Sequence, residues 1–136
     1  MRPQSLKEAV ELIQAGEDEY IAIPEFLDEF YTAVDGQTNN QPQAMIDDEP
    51  LITGKQLLDA HVGAIAEHLA RRWDLVIPSW VEDDLRFLDT PFFPHNLELM
   101  KPILLRDSPI AFRRRLIFTE AEPLRRGRFP KKALNS

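Results

Sequence analysis

Apolar residues at Leu58, Val62, Ile65, Leu69 and Trp73 recur after four, three, four and four positions, the spacing that puts side chains on one stripe of an α-helix. Thr53 with Gln56 three residues on forms a capping box ahead of that stripe, so the pattern predicts a long helix over Thr53–Trp73 as the central core element. The same box recurs at Ser5–Glu8, Ser79–Glu82 and Thr119–Glu122. These predict a helix ending near Ala15 with Gly16 as its stop, one running into Leu88, and a short one ending before Gly127 that Pro123 disfavours. Pro24 suits the first position of a helix through Leu27, Phe30, Tyr31 and Val34, stopped by Asp35-Gly36. Ala44–Ile46 adds one turn before Pro50. Two short helices are expected at Asn96–Leu105, where Pro102 kinks the helix or begins a new one, and at Ser108–Leu116, with Ser108 as cap and Pro109 first.

No stretch alternates apolar and polar residues over a strand's length with hairpin chemistry at its end. The expected fold is therefore all-α: a single compact domain over residues 1–136, with six to eight mostly short helices around one long central helix. The polar run Gln37–Gln43 has no apolar anchor and is expected to be a flexible loop, and residues 127–136 form a basic tail.

Composition narrows the classes. A chain of 136 residues suffices for about one core. No apolar run approaches the roughly 18 residues of a membrane span, and acidic residues interrupt the amino-terminal stretch where a secretory signal needs an apolar run. With no cysteine there is neither a disulfide framework nor a thiolate site, which agrees with a cytoplasmic location. The net charge of −7 is segregated: residues 1–60 hold thirteen acids and three bases, residues 61–136 ten acids and thirteen bases. A nucleic-acid interface, as the alternative reading, would use Arg125, Arg126, Arg128, Lys131 and Lys132. The simpler reading folds this basic end against the chain's own acidic half, because an acidic whole weakens long-range attraction to phosphate.

Candidate chemistry is sparse. His61 and His68 share one edge of the long helix, but HVGAIAEH is not the HExxH zinc spacing, and Asp59 and Glu67 fall on other faces, Glu67 nearly opposite the stripe. The histidines are expected at the rim of the core, with His95 starting the helix after Pro94, and no metal is expected. The acid runs Asp47-Asp48-Glu49 and Glu82-Asp83-Asp84 are explained by helix ends, where first-turn carboxylates are favoured. There is no GxSxG turn, glycine-rich phosphate loop or cysteine nucleophile, so no catalytic residue and no cofactor is assigned, and an enzyme would need scattered residues that the sequence does not assemble.

Two features stand out as a surface. Trp80, Phe87, Phe92 and Phe93 lie within fourteen positions, with Pro91 and Pro94 bracketing the phenylalanine pair. Arg113, Arg114 and Arg115 follow, and consecutive helical positions rotate by about 100°, so at least one must turn inward. That arginine would pair with a carboxylate such as Asp84 or Asp89, or with the carbonyls of a helix end. The candidate interaction surface is Trp80, Phe92, Phe93, Arg113, Arg114 and Arg115.

The blocks LLDAHVGAIAEHLARRWDLVIPSW, RFLDTPFFP and SPIAFRRRLIF, followed by LRRGR, resemble a bacterial all-α domain of unknown function that follows or accompanies XRE-type helix-turn-helix regulators and occurs in gene pairs suggestive of toxin–antitoxin modules. The resemblance covers roughly Pro24 to Arg126. The chain departs from fused forms in that Met1–Gly16 supplies only one helix where DNA-binding helices would stand. The resemblance implies a non-catalytic regulatory or protein-interaction module, antitoxin-like, whose protein partner is a helix-turn-helix regulator or a toxin. A homo-oligomer and a nucleic-acid partner are the further expectations, with no membrane.

Overall fold

The computed structural model describes residues 2–93, 98–127 and 130. The fold is all-α: six α-helices and three short 3-10 segments occur among the described residues, with no strand. A lone parallel bridge joins Phe92 to Ile117. No described helix is long and apolar enough to cross a membrane. Contacts divide the chain into two compact units, the first comprising the described residues of Met1–Leu51, Leu69–Pro78 and Arg125–Ser136, the second those of Ile52–His68 and Ser79–Leu124.

In the first unit, α1 (Leu6–Gln14) starts as expected, with Ser5 Oγ accepting from the Glu8 amide at 3.1 Å. The Glu8 carboxylate reaches back to the amide of Gln4 rather than Ser5, at 2.9 Å, so the capping box is closed one residue early. Gly16, at φ +111°, turns the chain out of the helix. The next helix, α2 (Glu19–Val34), begins five residues before Pro24, which lies inside it. Asp18 supplies the cap, its Oδ1 accepting from the Tyr20 amide at 2.8 Å. Pro24 removes only one helical hydrogen bond, the one to the Tyr20 carbonyl in the first turn of the helix. The expected loop 37–43 is shorter than its composition suggests, because Pro42 opens α3 (Pro42–Asp47). Asn40 donates to Gln4 Oε1 at 2.6 Å, and the Gln43 amide both donates to the Val76 carbonyl (2.9 Å) and accepts from the Val76 amide (2.8 Å). Phe26, Phe30, Tyr31 and Ile46 are fully buried in this unit. Phe30 and Tyr31 meet Trp73 at centroid distances of 6.2 and 5.1 Å.

The long helix, α4 (Gln56–Arg72), starts three residues after Thr53. Thr53 does not act through Gln56; its amide and hydroxyl, with the Gly54 amide, donate to the Asp59 carboxylate at 2.9, 2.7 and 3.1 Å. The stripe Leu58, Val62, Ile65, Leu69 and Trp73 is buried as expected, but so are Asp59, Ala60, Ala64, Ala66, Glu67 and Ala70. A helix buried on every side over 62–70 is a core element all round, not an amphipathic one. Its carboxyl end is closed by Asp74 at φ +58°, a conformation its short polar side chain tolerates, with the Leu75 amide donating to the Ala70 carbonyl at 2.7 Å.

In the second unit the predicted helix from Ser79 into Leu88 is instead two 3-10 turns, Ser79–Glu82 and Asp84–Arg86, divided where Asp83 Oδ1 accepts from the Leu85 amide at 2.9 Å. Pro102 begins a new helix, α5 (Lys101–Asp107), after the 3-10 turn Glu98–Met100; residues 94–97, with His95 and Asn96, lie outside the described residues. The helix expected over Ser108–Leu116 shortens to α6 (Ile110–Arg113), entered through Pro109. Ser108 does not cap it: its hydroxyl is 2.5 Å from the Leu104 carbonyl and accepts from the Thr119 amide at 2.8 Å. Thr119–Glu122 forms no helix, as Pro123 implies.

Candidate functional site

The turn that ends α6 decides where the three arginines go. Leu116 adopts φ +64°, an uncommon conformation for a branched side chain, and the chain reverses there, with the Leu116 amide on the Arg113 carbonyl (2.9 Å) and the Ile117 amide on that of Phe112 (3.0 Å). Beyond the turn the Phe92 amide donates to the Leu116 carbonyl (2.8 Å) and the Phe118 amide to the Phe92 carbonyl (3.0 Å). This geometry drives Arg115 inward, where its side chain is completely buried.

Glu67, equally buried, is the partner, and neither Asp84 nor Asp89 is. Arg115 Nη1 donates to Glu67 Oε1 at 2.6 Å and to the Ala111 carbonyl at 2.8 Å. Its Nη2 donates to the Val81 carbonyl at 2.7 Å and its Nε to that of Arg86 at 3.0 Å. One guanidinium thus ties together α4, both ends of the 3-10 region and α6, using the planar fork that lysine lacks. Burial pushes its pKa down and the Glu67 hydrogen bond opposes that, so the carboxylate keeps the charge tolerable. Arg114, about a third exposed, donates to both Glu67 oxygens at 3.1 and 3.0 Å and to Glu82 Oε1. Its pKa is raised, first by the Glu82 hydrogen bond. Arg113 is exposed and donates to the Ser108 carbonyl at 2.9 Å. The block divides into a buried, a half-buried and an outward member.

Aromatic faces complete the cluster. The Arg115 and Arg114 guanidiniums lie 4.5 and 5.3 Å from the Phe87 ring centre, and that of the fully buried Arg86 lies 4.8 Å from Trp80. Gly63 makes this packing feasible: a Cβ there would come 3.0 Å from Arg86 Cβ and 3.1 Å from Arg115 Nε. Gly63→Ala should therefore lower stability by about 1–3 kcal/mol in spite of alanine's better helix propensity. Urea unfolding would measure it.

His61 and His68 flank Phe112 from two sides, at centroid distances of 5.7 and 5.6 Å. His68 is buried, with Nε2 4.0 Å from Glu122 Oε1. Burial lowers the His61 pKa from 6.5 to about 4. The unfolded chain therefore takes up this proton near pH 6.5 while the folded chain resists until about pH 4. The stability from neutral His61 is complete above pH 6.5 and is lost as pH falls towards 4, by up to about 3 kcal/mol. A His61→Gln variant should show a shallower fall than the parent over that interval in unfolding measured by tryptophan fluorescence. No group of three or more metal-ligating side chains occurs among the described residues.

The residues singled out by sequence are thus not one surface. Trp80 and Arg115 are buried, and Phe93 stacks on Phe118 at 5.0 Å with the Lys101 ammonium 5.0 Å from its ring. Phe92 and Arg113 reach solvent. In the basic end Arg125 is exposed, and Arg126 makes a two-pronged pair with Asp28 at 2.9 and 3.1 Å that raises its pKa. Arg128, Lys131 and Lys132 lie outside the described residues. A cavity of about 330 Å³ gathers Asp59, Asp84 and Asp89 beside Leu85 and Phe87, but Asp59 is engaged by Thr53 and Gly54, and Gln56 donates to Asp89.

Sequence reasoning missed the most exposed apolar feature. In the second unit Leu99 is 96% exposed, and Met100, Ile103, Leu105 and Ile110 are each exposed by about two fifths to a half. Of α5, only Leu104 is buried. The signal was legible: ELMKPILLRD carries five apolar residues in the seven positions 99–105, two in the 3-10 turn and three consecutive ones in α5 that rotate too far apart to share one buried face. Comparison of the chain with family models, curated proteins and solved structures finds no match.

Proposed function

We propose that the protein is a non-catalytic regulatory or protein-interaction module, antitoxin-like in kind, and that its partner docks on the exposed apolar stretch between Leu99 and Ile110, the ridge, on the face of α5 that carries Ile103. The observation that carries this is the exposure of four aliphatic side chains along one short stretch, each worth about 1.5–3 kcal/mol if a partner buried it fully. Aliphatic side chains have no reaction to perform, whereas apolar anchors rimmed by arginines are the usual makings of an interface centre. The three-arginine block fixes α6, which carries Ile110, so it serves the interaction through the fold. The likeness to a domain accompanying XRE-type regulators names the class of partner to try first.

Ile103→Asp should leave the melting temperature within a few degrees of the parent, because its side chain is already partly exposed, and should abolish capture of a regulator or toxin encoded beside this gene. Capture unchanged by Ile103→Asp and by Leu99→Asp would remove the ridge from the account. Retention on DNA that falls steeply with salt and with loss of Arg125 would replace this reading with the nucleic-acid one.

A further inference from the structure

We infer that the ridge takes a second copy of this chain, through the acidic corner where α1 passes into α2. The inference rests on the reading of the ridge as a docking surface and adds the identity of its occupant.

At that corner exposed apolar groups coincide with concentrated charge of one sign. Glu17, Asp18 and Glu19 run directly into Tyr20, 82% exposed, and Ile21, 47% exposed. Residues 8–54 contain no lysine or arginine at all. Among the described residues no cation pairs with Glu17 or Glu19. The ridge has the opposite character: Arg113 stands three residues from Ile110 on α6, on the same face, with a carbonyl as its hydrogen-bond acceptor and no acid beside it among the described residues. Arg106 is also exposed, its charge shared with its neighbour Asp107. An aromatic and an aliphatic anchor rimmed by carboxylates meet aliphatic anchors rimmed by guanidiniums, so both apolar burial and charge match.

Other occupants fit less well. A net charge of −7 is repelled by an anionic membrane surface and by phosphate, and a seven-residue α5 is short for lying in a lipid interface. Each copy offers one corner and one ridge, so a symmetric pair can make the contact twice, while a single contact leaves one of each open to a further copy. The anchors are few, so the contact is weak and its assembly concentration-dependent.

Sedimentation equilibrium of the full chain over a range of concentrations tests this. The parent's average mass should rise with concentration. Glu17→Arg with Glu19→Arg, or Arg113→Glu alone, should each weaken association by about tenfold, and an equimolar mixture of these two variants should recover it, since each then offers the other a matched pair of surfaces. Ile103→Asp should weaken association as well, and Ile103→Ser should do so without adding a charge. A parent that stays monomeric overturns the inference while leaving the ridge open to a different protein. Association that depends on Ile103 but ignores every charge change, or that the mixture fails to restore, places the occupant elsewhere and also overturns it. Association unaffected by Ile103→Asp overturns both the inference and the reading it rests on. A monomeric parent that co-sediments with phosphatidylcholine–phosphatidylserine vesicles, and loses this in Ile103→Asp, makes the ridge a lipid surface instead.

Discussion

Arg115→Ala is expected to lower stability by roughly 3–5 kcal/mol, a large part of the 5–15 kcal/mol that holds an ordinary domain together. The loss comes from several directions at once. Glu67 keeps its burial but loses its 2.6 Å partner, and the carbonyls of Val81, Arg86 and Ala111 lose a donor where water does not reach. Arg114 still reaches Glu67 and limits the damage. The neighbouring replacements should be far milder: Arg114→Ala by about 1–2 kcal/mol, because its pairs are partly exposed, and Arg113→Ala within about 0.5 kcal/mol. The ordering Arg115, Arg114, Arg113 follows the depth of the three side chains, and guanidinium or urea titration of the variants would read it. Equal, small losses would mean that the block is a surface patch.

Phe30→Ala is expected to cost about 3–5 kcal/mol in the first unit. Its ring is completely buried and meets Phe26 at 6.0 Å, Tyr31 at 5.8 Å and Trp73 at 6.2 Å between centroids. Alanine would leave a void bordered by three rings that helical backbone prevents from closing in, so dispersion contacts are lost as well as burial. Equilibrium unfolding gives the number, and a shift in the Trp73 emission would accompany it. A cost under about 1 kcal/mol would show that this core repacks readily.

Local signals carried the parts of the fold that local chemistry determines. Ser5 with Glu8, Gly16, the Asp35-Gly36 stop and the apolar stripe of α4 could all be read because each acts within one or two turns. The start of α2 is hidden because Pro24 is a strong start signal and Asp18 a weaker one; the chain uses the weaker signal and loses one helical hydrogen bond. The burial of Glu67 is not legible in the stripe, because Glu67 falls nearly opposite it and the stripe marks only one buried face. Ala60, Gly63, Ala64, Ala66 and Ala70 weigh little in an apolar periodicity, yet small residues around a helix are the sign that other elements approach it closely. The need for one inward arginine was readable from helical rotation, but its partner lies 48 residues away, and no local pattern reports such a pairing. The ridge has the opposite character: plain aliphatic residues carry no distinctive local chemistry, and only their excess over what one face can bury marks them as exposed.

The buried Glu67–Arg115 pair is the internal tie of the second unit, and the proposed docking surface depends on it only through the fold. A double-mutant cycle with Glu67→Met and Arg115→Met measures that tie directly. Each single change should cost about 3–5 kcal/mol by stranding the opposite charge, and the double variant should cost far less than their sum, giving a coupling of roughly 2–3 kcal/mol. Single costs below about 1 kcal/mol that simply add would contradict it.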